Sequence, residues 1–183
     1  MKIKRFCLVF MAIIYCALAQ SQISTEMKQF IKGVEGLSLE VYMDGYYRAV
    51  GYGHRINPSD PDWIYSLVEY DVITPVIADA LFEKDMLSIV AKGLYQVRED
   101  IGNDYPSNVY DVMGSLIYNM GLSGLRSTPF YNLFKKKCYL AAFRALLSTK
   151  CSSIGLQQRR EFELQVLARH FDFSKGCYSL ATH

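Results

Sequence analysis

The stretch Glu35-Gly36-Leu37-Ser38-Leu39-Glu40-Val41-Tyr42-Met43-Asp44-Gly45-Tyr46-Tyr47-Arg48-Ala49-Val50-Gly51-Tyr52-Gly53-His54 carries most of the information in this chain. Leu37, Leu39 and Val41 alternate with polar residues, the period of a strand with one buried face. Asp44-Gly45 is a turn signal. Tyr46 to Tyr52 reads as a second, aromatic strand ending in a glycine-rich bend, so the pair predicts a small antiparallel sheet. Two acids, Glu35 and Asp44, stand on either side of the first strand. Two carboxylates held across a cleft are the minimum equipment for cleaving a glycosidic bond.

Outward from this stretch the pattern becomes helical. Met27, Phe30, Ile31 and Val34 recur at i, i+3, i+4 and i+7, predicting a helix over 25–35 that ends at Glu35. Residues 55–73, with Pro58, Pro61 and Trp63, read as a loop with a short helical piece. Thr74-Pro75 is an N-cap followed by proline at the first helical position. From there Ile77, Leu81, Leu87, Val90 and Leu94 predict one long helix over 74–98. Further helices are expected near 107–119, 127–136, 138–148 and 156–170, punctuated by Gly121, Gly124 and Gly155. One small sheet followed by many helices is an α+β layout.

Residues 1–19 have the form of a secretory signal. Lys2, Lys4 and Arg5 precede an apolar run from Phe6 to Leu18, too short for a comfortable membrane span, and Ala17-Leu18-Ala19 is a small-x-small cleavage site. Cleavage there leaves 164 residues, enough for one domain with a core of its own. The 183-residue chain carries a formal charge of +2, and loss of those three basic residues brings it to −1. A nucleic-acid binder or strongly basic wall-binder is therefore not indicated. Cys7 and Cys16 leave with the signal. Cys138, Cys151 and Cys177 remain, an odd number that permits one internal disulfide at most. No cysteine–histidine cluster suggests a metal, and no cofactor is expected.

Three motifs in order resemble the phage-type lysozymes, the endolysins and muramidases of glycoside hydrolase family 24. They are Glu35-Gly36-Leu37 with Tyr42-Met43-Asp44 and Gly51-Tyr52-Gly53-His54; then Asp111 to Gly121 with Asn119 near its end; then Gly155-Leu156 with Arg159-Arg160 and Glu163. The resemblance spans 35–163. It implies a small antiparallel β lobe and a larger helical lobe joined by the long helix, with a cleft between them. It implies action on peptidoglycan glycan strands, and a monomer is expected. The resemblance implies hydrolysis of β-1,4 bonds between N-acetylmuramic acid and N-acetylglucosamine, and the signal segment implies a secreted or periplasmic protein.

Glu35 and Asp44 are the expected catalytic pair. A helix C-terminus disfavours negative charge, which suits a proton donor at Glu35. The resemblance makes Asp44 the holder of the attacking water, in an inverting reaction that wants the carboxyls roughly 6.5–9.5 Å apart. Taken alone, Glu35 also reads as a solvated helix end and Asp44 as a turn-former. Tyr52, His54, Asn119 and Arg159 are the expected substrate-side residues. The resemblance makes His54 structural, closing the hairpin beside the acid. Arg159 is a partner for Glu35 or another acid, or else a surface ion pair on a solvated helix face. Asn119 is a hydrogen-bonder of an N-acetyl group or a helix cap. Tyr46 and Tyr47 are possible sugar stackers, as is Trp63, which otherwise plugs a local core.

One position departs from the pattern. Ala49 stands where the family has a threonine that helps hold the water, and the stretch from Asp44 to Ala49 is one residue short. The expectation is a slow enzyme that Ala49→Thr accelerates, unless Arg48 or another side chain has taken over the hydroxyl's task. The alternative is a weakened lysozyme-like protein that binds glycan without cutting it.

Overall fold

The computed structural model describes residues 23–149, 152–169, 171–172 and 179–180. The expected signal segment 1–19, with Cys7 and Cys16, lies outside the described residues, as do Cys151 and Cys177. The chain divides into two compact units. One is Thr25–Ser88. The other comprises the chain up to Ser24 and from Ile89 onward.

In the first unit, α1 (Thr25–Glu35) buries Met27 and Ile31 and ends where the sequence places its end. Gly36 takes φ +73°, a conformation glycine adopts without a Cβ penalty, and its N–H closes the last turn on the Lys32 carbonyl at 3.1 Å. β1 (Ser38–Asp44) then pairs antiparallel with β2 (Tyr47–Gly51) through a tight turn at Gly45-Tyr46, and β2 pairs with β3 (His54–Arg55). The register places Tyr42 opposite Ala49, Asp44 opposite Tyr47, and Ala49 opposite Arg55. The free edge of β1 is covered by the segment near residue 72: Ile73 N–H donates to the Leu39 carbonyl and Val41 N–H to that of Asp71, both at 2.8 Å.

Cross-strand partners share a face, and residues two apart on one strand share it too. Val41 and Val50 therefore point inward. They form a core with Ile56, Ile64, Ile73, Ala78 and Leu81, to which α2 (Asp62–Tyr65) and α3 (Pro75–Asp85) contribute. Tyr42, Asp44, Tyr47, Ala49 and Arg55 occupy the opposite face.

The long helix differs from the reading at 74–98. It starts as expected, with the Thr74 hydroxyl accepting from the Ile77 N–H. It is then interrupted by a π-helical turn, Met86–Val90, and resumes as α4 (Ala91–Ile101). Asp85, Met86, Val90, Ala91, Leu94 and Val97 are buried along this stretch. Leu87, read as a core position, is exposed. The boundary between the units falls within this turn.

The second unit is helical. α5 (Ser107–Arg126) runs past the expected end near Asn119, through a kink at Gly121 where φ is +72°. Gly114 lets α5 pack closely, since a Cβ there would stand 2.4 Å from Ile23 Cγ2 and 3.2 Å from Val90 Cγ1. α6 (Pro129–Lys135), α7 (Tyr139–Leu147) and α8 (Ile154–Ala168) follow close to their predicted places. Phe134, Tyr139, Phe143 and Phe171 form a contiguous aromatic cluster. A short hairpin, β4 (Phe171–Asp172) with β5 (Ser179–Leu180), was not foreseen.

Candidate active site

The first unit brings together four of the six expected site residues. Glu35 is the last residue of α1 and half-buried. The glycine bend of β2–β3 comes close to it: a Cβ added to Gly53 would lie 3.9 Å from Glu35 Oε2. Gly51 and Gly53 both take positive φ, at 69° and 84°, so the bend depends on glycine. Asp44 is the last residue of β1 and half in solvent.

Tyr42 links the two acids. Burial raises its hydroxyl pKa first, and the negative charges of Asp44 and Glu35 raise it further, against an opposing contribution from Arg55. One side chain thus feels both carboxylates.

His54 is buried, at 2 % exposure, and offers no surface to a ligand. Its Nδ1 lies 2.9 Å from Asp85 Oδ2 and its Nε2 3.1 Å from Asp60 Oδ1. A ring facing carboxylates at both nitrogens carries a proton on each. Burial opposes that charge, but the Asp85 and Asp60 carboxylates outweigh it and raise the His54 pKa. Asp60 also holds Lys84 and accepts from the Asn57 N–H at 2.7 Å. His54 therefore ties β3 to α3 and to the following loop. Asp60 and Asp85, which complete this cluster, were missed in the sequence because neither spacing nor residue type marks an acid as buried.

Tyr52 is turned partly inward. Its ring meets Phe82 edge-on at 5.6 Å, with Lys32 5.0 Å above it. Tyr46 is 98 % exposed and Tyr47 half-exposed, while Trp63 is exposed on α2.

Asn119 and Arg159 belong to the second unit. Arg159 is only 3 % exposed, so the reading of a solvated helix face does not hold. Its Nε donates to Glu163 Oε1 at 3.3 Å and its Nη2 to the Ser115 carbonyl at 3.0 Å. Arg160, wholly buried, pairs with the other Glu163 oxygen, donates to the Thr149 carbonyl at 2.9 Å, and gives Nη2 to Asn119 Oδ1 at 2.6 Å. Asn119 thereby has a partner inside its own unit.

A family model of phage lysozymes matches residues 32–163. The chain belongs to the phage lysozyme family. Solved structures agree on the fold. A mutant of P22 lysozyme superposes with TM-score 0.57 at 27 % identity, over 79 % of this chain and 97 % of that one. The muramidase domain of SpmX from Asticaccaulis excentricus gives 0.64 at 21 %, over 79 % and 96 %. An endolysin from the Escherichia coli O157:H7 phage FAHEc1 gives 0.62 at 24 %, over 86 % and 96 %. No curated protein matches the chain.

Within this phage lysozyme fold, the departure at Ala49 has a definite setting. Ala49 lies on the Asp44 face of the sheet and is 1 % exposed. Arg48, its neighbour, points away from that face: Nη1 donates to the Leu67 carbonyl, and the guanidinium lies 5.5 Å from the centre of the Tyr65 ring. The cation beside Asp44 is Arg55, with Nη2 2.8 Å and Nε 3.3 Å from Oδ2. The sequence reading did not single out Arg55. The register of β3 was the signal that would have found it.

Proposed function

We propose that this protein is an exported muramidase that hydrolyses the β-1,4 bonds between N-acetylmuramic acid and N-acetylglucosamine in peptidoglycan. Glu35 is the general acid that protonates the leaving oxygen. Asp44 is the carboxylate that holds and activates water on the other side of the sugar. The observation that carries this reading is the place of the two acids in one unit: Glu35 ends α1 against the Gly53 bend, 3.9 Å from where a Cβ on that glycine would lie, and Asp44 ends β1. Membership of the phage lysozyme family supports the same substrate class. Export rests on the sequence of residues 1–19 alone, and the working form is taken to be a monomer.

The test is Glu35→Gln, which keeps shape and removes the proton. Loss of a positioned general acid costs typically about 10²–10⁴-fold in rate. Clearing of a suspension of purified walls should stop while the circular-dichroism melt stays that of the parent. Lysis at the parent's rate would remove Glu35 from the mechanism.

A second reading is a glycan-binding lysozyme fold with weakened cutting. Ala49 favours it, because a side chain without a hydroxyl stands on the face that carries Asp44. Retained pull-down on insoluble walls with no release of reducing ends from them would favour this reading over the first.

A further inference from the structure

We infer that Arg55 is the positioning residue of the second carboxylate, fixing Asp44 by one oxygen and leaving the other for water. The inference rests on the glycosidase reading above and deepens it. Asp44 closes β1 immediately before the Gly45-Tyr46 turn, and Met43, Gly45 and Tyr46 beside it are all exposed. A carboxylate at such a hairpin end turns freely in water unless something holds it. Catalysis requires such a group to be held within about 0.5 Å and 10–20° of its working geometry.

Arg55 supplies the hold. It lies on β3, two strands from Asp44, and reaches it over the face of β2 that carries Ala49 and Tyr47. The guanidinium rests 4.9 Å from the centre of the Tyr47 ring, a cation–π contact that orients the planar fork before it meets the acid. Nε and Nη2 both converge on Oδ2. Oδ1 takes no hydrogen bond from the described residues. An ionised carboxylate held by one oxygen keeps lone pairs on the other to accept from a water and later take its proton. Ala49 stands directly across from Arg55 on this face and is 1 % exposed.

Both members of the pair are more than half in solvent, at 60 % and 51 %, so the contact adds little to stability. Its consequence is orientation. Arg55 touches neither sugar nor leaving group in this scheme and acts only through Asp44.

The experiment measures kcat and KM of the mature exported protein on soluble, uncrosslinked peptidoglycan strands, for the parent, Arg55→Ala and Arg55→Lys. Misplacing a reacting group can cost about 10²-fold, so Arg55→Ala should lower kcat by roughly 10- to 100-fold with KM nearly unchanged. Arg55→Lys, a point charge without the fork, should recover part of that loss. The Arg55 Nε–H signal in nitrogen-15 NMR should report an ordered side chain in the parent and a mobile one in Asp44→Asn. A parent that cleaves while Arg55→Ala keeps its kcat overturns the inference and leaves the glycosidase reading standing. A rise in KM alone also overturns it, since that would make Arg55 a substrate contact. A parent that cleaves nothing brings down the glycosidase reading and this inference together.

Discussion

At the residue scale, two side chains lead to predictions. Ala49 was expected to mark a missing hydroxyl that threonine would restore. The geometry supports a competing expectation, because Ala49 is buried and Arg55 crosses the strand beside it. Ala49→Thr should therefore leave wall lysis unchanged or slower. Arg48→Ala should keep lysis within about twofold, since its guanidinium serves the Leu67 carbonyl and the Tyr65 ring; the lost bond should cost about 1 kcal/mol of stability. Faster lysis by Ala49→Thr, or a crippled Arg48→Ala, would restore the earlier account. His54 gives a pH prediction. Its pKa is raised in the folded state, so its contribution to stability is complete below the ordinary histidine value of about 6.5 and is lost as pH rises through the folded value. Asp60 runs the other way. Burial would raise its pKa, but Lys84, the Asn57 N–H and His54 hold it below 3.8, so its contribution is lost only in strong acid. The melting temperature should thus fall on the alkaline side of neutrality, and His54→Gln should flatten that slope. A parent whose melting point is level from pH 6 to 9 would contradict the paired-carboxylate description of His54.

At the scale of elements, local signals were enough wherever one element satisfied its own backbone. α1 stops at Gly36 and α3 starts at Thr74 because a left-handed glycine and a capping hydroxyl act within a few residues. The π-helical turn at Met86–Val90 was not legible in the apolar spacing of the sequence. Within α8, Arg159, Arg160 and Glu163 are buried, which excludes the surface ion pair that was one of the two readings of Arg159. Breaking a buried ion pair leaves charge without compensation and costs about 3–5 kcal/mol. Glu163→Gln should accordingly shift the urea midpoint strongly downward without unpairing β1 and β2, which lie in the other unit. An unchanged midpoint would mean that water, not Glu163, balances the two guanidinium groups.

At the scale of the whole molecule, the remaining expectations concern processing and thiols. The exported protein should begin at Gln20, read directly by intact mass, and a membrane-retained chain that keeps Met1 would indicate an anchor instead. Cys138 is free and exposed. Thiol counting on the denatured, unreduced mature monomer should find one or three free thiols, and a count of none would point to an intermolecular bridge. The sequence by itself determined the α+β layout, the hairpin and the phage lysozyme family, because these follow from periodicity, turn chemistry and motif order. Only the tertiary structure decided which charges are buried and which polar atom meets which. It placed His54 between Asp60 and Asp85, turned Arg48 away and brought Arg55 to Asp44. Those pairings depend on strand register and on contacts between residues far apart in the chain, and neither leaves a local trace in residue type or spacing.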